Sequence, residues 1–128
     1  MLLGRGDVNP NTADAENRQT PLLWAAESKH KRIVKLLLKR PDLVLNTAAT
    51  RYGQTPLTWA ADHGYKWFVK LLLEREDIDP NTADTILGQT PLAWATKGRH
   101  KGIVKLLLKR DDLRPSVRDL CGAAALEL

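Results

Sequence analysis

The sequence predicts an all-α solenoid of stacked helix-turn-helix units. Three observations carry that reading. Thr20-Pro21-Leu22-Leu23-Trp24-Ala25 returns as Thr55-Pro56-Leu57-Thr58-Trp59-Ala60 and again as Thr90-Pro91-Leu92-Ala93-Trp94-Ala95, at a period of 35 residues. Lys35-Leu36-Leu37-Leu38 returns as Lys70-Leu71-Leu72-Leu73 and Lys105-Leu106-Leu107-Leu108 at the same offset. Asn11-Thr12, Asn46-Thr47 and Asn81-Thr82 keep the spacing too. Three independent anchors in one register define a repeat, and units of this length bury their apolar faces by stacking.

Each element of the unit has its own justification. Thr55 is a good N-cap, and Pro56 suits the first helical position, where a missing N–H costs nothing. Leu57, Ala60 and Ala61 fall at i, i+3 and i+4, one face of a first helix. The alanines are small, so a neighbouring helix can approach closely. Gly64 ends that helix. A second helix is predicted from about Lys66 to Arg75, with Val69, Leu72 and Leu73 as its buried stripe and Phe68 and Leu71 flanking. Lys70 points away. The stretch from Asp77 to Gln89, with Pro80 and Gly88, reads as an extended hairpin.

These residues resemble the ankyrin repeat family. The third unit supplies Asp84, Gly88, Thr90-Pro91-Leu92, Ala95, His100, and Val104 with Leu106-Leu107-Leu108. The second supplies Gly53, Thr55-Pro56-Leu57, Ala60-Ala61, Gly64, and Val69 with Leu71-Leu72-Leu73. The resemblance spans residues 1–119 and is specific for fold. It is nearly silent about function, because such folds host many binding roles. The unit departs from the family pattern in being longer, with extra residues after the leucine run and at the hairpin tip. The histidine usual after Thr-Pro-Leu is Leu23, Thr58 or Ala93. The Thr-Pro-Leu-x-Trp-Ala form is similar to fungal ankyrin arrays.

The predicted layout is an ankyrin domain over 1–119, with a partial unit at 1–10 and units near 11–45, 46–80 and 81–115. Residues 120–128 read as a degenerate C-terminal cap or the trace of a cloning vector. An array that starts and stops inside a unit suggests a piece of a longer solenoid in a signalling or scaffold protein. Exposed Leu2, Leu3 and Leu126 would then let the ends fray or self-associate.

Composition narrows function mostly by exclusion. Twenty Lys and Arg against fifteen Asp and Glu give +5, which permits contact with nucleic acid or an acidic surface without requiring it. No apolar run reaches the roughly 18 residues of a membrane span, so no membrane role is expected. One cysteine, Cys121, excludes an internal disulfide and is read as incidental. An intracellular chain, cytoplasmic or nuclear, fits that. No phosphate loop, His-Glu-x-x-His pair or Gly-x-Ser-x-Gly elbow occurs. The expectation is therefore no catalytic, cofactor or metal site. His30 and His100 hold the family's structural histidine slot, and His63 precedes it. Arg5-Gly6-Asp7 spells an adhesion tripeptide, but the register makes it an ordinary turn.

The resemblance implies a protein-binding concave surface of hairpin tips and exposed first-helix sides. Carried over residue by residue, the tips are Glu16 and Asn17, Arg51 and Tyr52, and Ile86 and Leu87. The first helices supply Trp24, Glu27 and Ser28, then Trp59, Asp62 and His63, then Trp94, Lys97 and Gly98. Helical geometry agrees, since Trp59, Asp62 and His63 share a face distinct from that of Leu57, Ala60 and Ala61. Two roles are open to the tryptophans, packing between units and contact with a partner. A competing surface is the ridge of Lys35, Lys70 and Lys105 on the second helices, with Lys31, Arg32, Lys39, Arg40, Lys66, Lys101, Lys109 and Arg110 around it. It is a solvated face or a nucleic-acid contact.

Overall fold

The computed structural model describes residues 20–46 and 53–126. Seven helices lie in them: α1 Pro21–Glu27, α2 Lys31–Leu38, α3 Pro56–His63, α4 Lys66–Leu73, α5 Pro91–Lys97, α6 Lys101–Leu108 and α7 Val117–Ala125. The pairs α1–α2, α3–α4 and α5–α6 are antiparallel hairpins, and α3, α5 and α7 pack in series. No strand occurs among the described residues.

The first helices start alike because one capping device repeats. The hydroxyls of Thr20, Thr55 and Thr90 accept from the N–H of Leu23, Thr58 and Ala93 at 3.4, 3.2 and 3.2 Å. A proline follows each cap. Thr58 fills the missing histidine's place and bonds back to the Thr55 carbonyl at 2.9 Å. Between the helices of each pair the chain passes through positive φ, at Lys29, Gly64 and Arg99.

The core follows the repeat. Leu22, Leu57 and Leu92, the alanines Ala25, Ala60 and Ala95, and the leucines Leu37, Leu72 and Leu107 are all buried. One detail differs from the sequence reading. On α4 the buried set is Phe68, Val69 and Leu72, while Leu73 is only half-buried. Phe68, Val69 and Leu72 continue the i+3, i+4, i+7 face that starts at Tyr65, and Leu73 sits one step round the helix from it.

Two polar ladders link consecutive loops along the stack. Asn46 Nδ2 donates to the Asp77 carbonyl at 2.7 Å, and its Oδ1 accepts from Asp79 N–H at 2.8 Å. Asn81 makes the same pair with Asp112 and Arg114, at 2.9 and 2.8 Å. Arg75 forks onto Asp77 and reaches back to the carbonyls of Arg40 and Leu43 at 3.1 and 3.2 Å. Arg110 pairs with Asp112 and donates to the Leu73 carbonyl at 2.8 Å. These guanidiniums satisfy carbonyls at the end of the preceding second helix and the turn after it. Arg110 therefore belongs to the scaffold, not to the solvated ridge, while Arg40 forks onto Asp42 two residues on. Their contacts with Asp42 and Asp112 raise their own pKa and hold those carboxyls below the ordinary range.

At the C-terminal end, Ser116 and Asp119 form a capping box that starts α7. α7 takes the place of a next first helix against α5, with its cap nine residues earlier than the repeat would put it. Leu126 is buried there, contrary to the exposed end expected from sequence, and Leu120 is the exposed leucine of this helix. Residues 1–19 lie outside the described residues, and with them Leu2, Leu3 and the Arg5-Gly6-Asp7 turn.

Candidate protein-binding groove

The hairpin before α5 is organised by one carboxylate. Asp84 Oδ1 accepts from the backbone N–H of Ile86, Leu87 and Gly88, and Oδ2 accepts from Gln89 N–H at 3.1 Å. Oδ2 also accepts from the Trp94 indole N–H at 2.8 Å. Burial pushes the Asp84 carboxyl up, but the N–H groups of Leu87, Gln89 and Ile86 and the indole together hold it below its ordinary value. This nest pins the tip and turns Ile86 and Leu87 outward, 61% and 59% exposed. Thr85 N–H donates to the Gly53 carbonyl at 2.9 Å, tying the tip to the preceding unit. Gly53 has φ +68°, and an added Cβ would strike Thr85, so this crossing needs glycine.

Below the tip lies a cavity of about 350 Å³, lined by Gln54, Asp62, His63, Asp84, Ile86, Leu87 and Trp94. It opens between the central and third units. Asp62 is half-exposed and accepts from Gln54 Nε2 at 3.2 Å. His63 Nδ1 donates to the Trp59 carbonyl at 2.9 Å, because a carbonyl only accepts, and its ring stacks on Trp59 at 4.5 Å. The next unit's His100 donates from Nε2 to the Asp62 carbonyl at 3.3 Å. That bond spans two units and is a structural role.

The structure thus brings together five of the residues singled out by sequence: Asp62, His63, Ile86, Leu87 and Trp94. Lys97 is at the rim, its ammonium 5.7 Å from the Trp94 ring centre and 3.4 Å from Gln89 Oε1. Trp59 is 4% exposed, enclosed by His63, Tyr65 and Phe68, so its indole packs the scaffold. Trp24 is 45% exposed, and Glu27 is exposed on the same helix, away from this cavity. Arg51 and Tyr52 lie outside the described residues, as do Glu16 and Asn17. Gln54 and Asp84 are groove residues that sequence reasoning did not assign to the binding surface, Asp84 having been named only as part of the repeat pattern. The signal was present for Asp84: an aspartate ten residues before the tryptophan occurs in two units, at Asp14 and Asp84, and the central unit has Ala49.

A family model described as ankyrin repeats (three copies) matches residues 1–84, and one described as an ankyrin repeat matches residues 87–120. The chain belongs to the ankyrin repeat family. No curated protein matches it significantly. Ankyrin repeats generally mediate protein–protein interaction and are typically not enzymes. Among the described residues of this ankyrin chain no helix is long and apolar enough to cross a membrane, and no cluster of histidine, cysteine and carboxylate groups could hold a metal ion.

Proposed function

We propose that this chain is a non-enzymatic protein-binding module, part of a longer intracellular signalling or scaffold array, and that its working surface is the concave side. The observation that carries this is the groove beneath the third hairpin. Two large aliphatic side chains stand exposed over a half-buried indole and a half-exposed carboxylate. Solubility alone does not select exposed Ile86 and Leu87 on a tip pinned by five N–H groups. Arg51, Tyr52, Trp94, Lys97, Asp62 and His63 complete the surface in this reading, with Trp24 and Glu27 extending it along the first unit.

The test is to isolate a protein partner at physiological salt and titrate variants by calorimetry beside thermal melts. Leu87→Ala and Tyr52→Ala are each expected to weaken binding by about 1–2 kcal/mol. Asp62→Lys is expected to weaken it as well, and melting should stay near wild type. Unchanged affinity in all three moves the site to the outer helices.

A second reading has one observation behind it. Lys35, Lys70 and Lys105 are all exposed at equivalent positions of α2, α4 and α6. That ridge suits a nucleic-acid or acidic-surface contact, whose affinity would fall steeply with salt. Binding of a duplex oligonucleotide that vanishes on reversing the three lysines to glutamate would reverse the order of the two readings.

A further inference from the structure

The charge of the groove opposes the charge of the chain. The protein carries +5 overall. Yet the groove holds two carboxylates, Asp62 and Asp84, and none of its described lining residues is a lysine or arginine. Asp84 is buried and the hydrogen bonds it accepts come from neutral N–H donors, with the Lys97 ammonium outside them at the rim, over the Trp94 ring. Asp62 has the neutral Gln54 amide, and His63 Nδ1 lies 3.9 Å away, committed to the Trp59 carbonyl. Charges in a concave, partly desolvated site act more strongly than on an open surface. Beside them stand the Trp94 and His63 rings and the exposed Ile86 and Leu87.

Resting on the reading of the concave face as the working surface, we propose that this groove takes an extended segment of a partner protein in which an arginine adjoins a bulky apolar residue. The guanidinium enters between Asp62 and the aromatic rings, where its planar face stacks and its N–H groups reach the carboxylate. The apolar neighbour covers Ile86 and Leu87. An acidic segment is rejected, because its carboxylate would meet Asp62 and the field of Asp84. Lysine satisfies the charge but not the stacking, so arginine is preferred.

The probes are blocked dipeptides at millimolar concentration: acetyl-Leu-Arg-amide, acetyl-Leu-citrulline-amide, which keeps the shape without the charge, and acetyl-Leu-Glu-amide. Binding is read by NMR from the Trp94 indole N–H, the Gln54 side-chain amide and the Leu87 methyls. The arginine probe is expected to shift these signals. The citrulline probe should bind roughly three- to fivefold more weakly, the range of an ion pair at a half-exposed carboxylate. The glutamate probe should not bind. Asp62→Asn, with an unchanged melt, should remove the difference between arginine and citrulline. Equal binding of arginine and citrulline probes, or an arginine preference that survives Asp62→Asn, overturns the proposal while leaving the groove as a binding surface. Absence of groove shifts with every probe overturns both.

Discussion

The boundary between the first and central units and the boundary between the central and third use the same register positions with different side chains. At the later boundary His100 lies between Gly64 and Gly98. A Cβ on either glycine would come within 2.6 Å of its ring. The imidazole fits there and bonds across to Asp62, and α3 packs closely on α5. One unit earlier the three positions are Tyr65, Lys29 and His63. No glycine pair makes room for the ring. Tyr65 instead joins an aromatic cluster, 5.3 Å from Trp59 and 6.5 Å from Trp67, and α1 touches α3 only marginally. Small residues give one boundary a close polar seam, and bulk gives the other an aromatic wedge. The groove sits on the close seam.

The largest effect is expected where both boundaries share a unit. Leu72 is fully buried on α4. Leu72→Ala should cost about 2–5 kcal/mol, and because units are stabilised through their neighbours, both boundaries should melt together. Lys70→Ala, exposed two residues away, should stay within about 0.5 kcal/mol. A circular-dichroism melt checks both, and equal losses would refute the assignment of the helix faces.

The second test attacks the close seam alone. Asp84→Ala leaves several N–H groups without their acceptor and should cost about 2–3 kcal/mol. The central unit, with Ala49 at this register, has no such carboxylate to lose. Asp84 also fixes a pH dependence. Its folded-state pKa lies below the ordinary 3.8, so the folded chain binds this proton less readily than the unfolded chain. The stabilisation is complete above that ordinary value and is lost as pH falls through the lower folded value. Asp77, held down by its hydrogen bond to Arg75, acts with the same sign. Melting temperature should therefore drop in acid for the wild type, and Asp84→Asn should flatten the curve without abolishing it.

Most of the scaffold was legible because it repeats. The Thr-Pro caps, the leucine faces and the alanine contacts each occur in three units, so one physical reading was tested three times over. The groove was legible in part. Ile86, Leu87 and Asp62 were visible as unrepeated residues at tip and helix positions. What was not legible was which tryptophan would be buried. Trp24, Trp59 and Trp94 share a register, but their fates depend on residues at other positions, Asp84 for Trp94 and His63 for Trp59. The arginine ladder was hidden for a different reason. Arg75 sits among acidic residues and Arg110 in a basic stretch, and their carbonyl acceptors lie 32–37 residues back in the chain. Periodicity within one helix carries no sign of them.

A third test exchanges the turn residues of the two boundaries. Gly64→Ala places a Cβ at φ +75° and against His100, and should cost about 1–2 kcal/mol. Lys29→Gly relieves a side chain from the matching turn at φ 61°, so it should stabilise by up to about 1 kcal/mol. Chemical denaturation of the two variants would show opposite signs. A loss from Lys29→Gly would mean that the lysine side chain does more at the first boundary than hold the turn.

The smallest expected effect sharpens the account of the aromatic wedge. Trp67 on α4 is half-buried against the core, and the Lys31 ammonium of α2 lies 5.3 Å from its ring centre. Thirty-five residues on, the equivalent pair is Lys66 and Gly102, where the lysine chain lies along a residue with no ring. A cation over an exposed indole contributes about 0.5–1 kcal/mol. Lys31→Ala should therefore destabilise by that amount and Lys66→Ala by less. A double-mutant cycle of Lys31→Ala with Trp67→Ala isolates the pair from the packing that the ring provides on its own. A coupling near zero would leave Trp67 as an apolar plug and assign the first boundary to ring packing alone. A coupling at the upper end would make the lysine part of the seam, the role that the His100 bond fills one unit later.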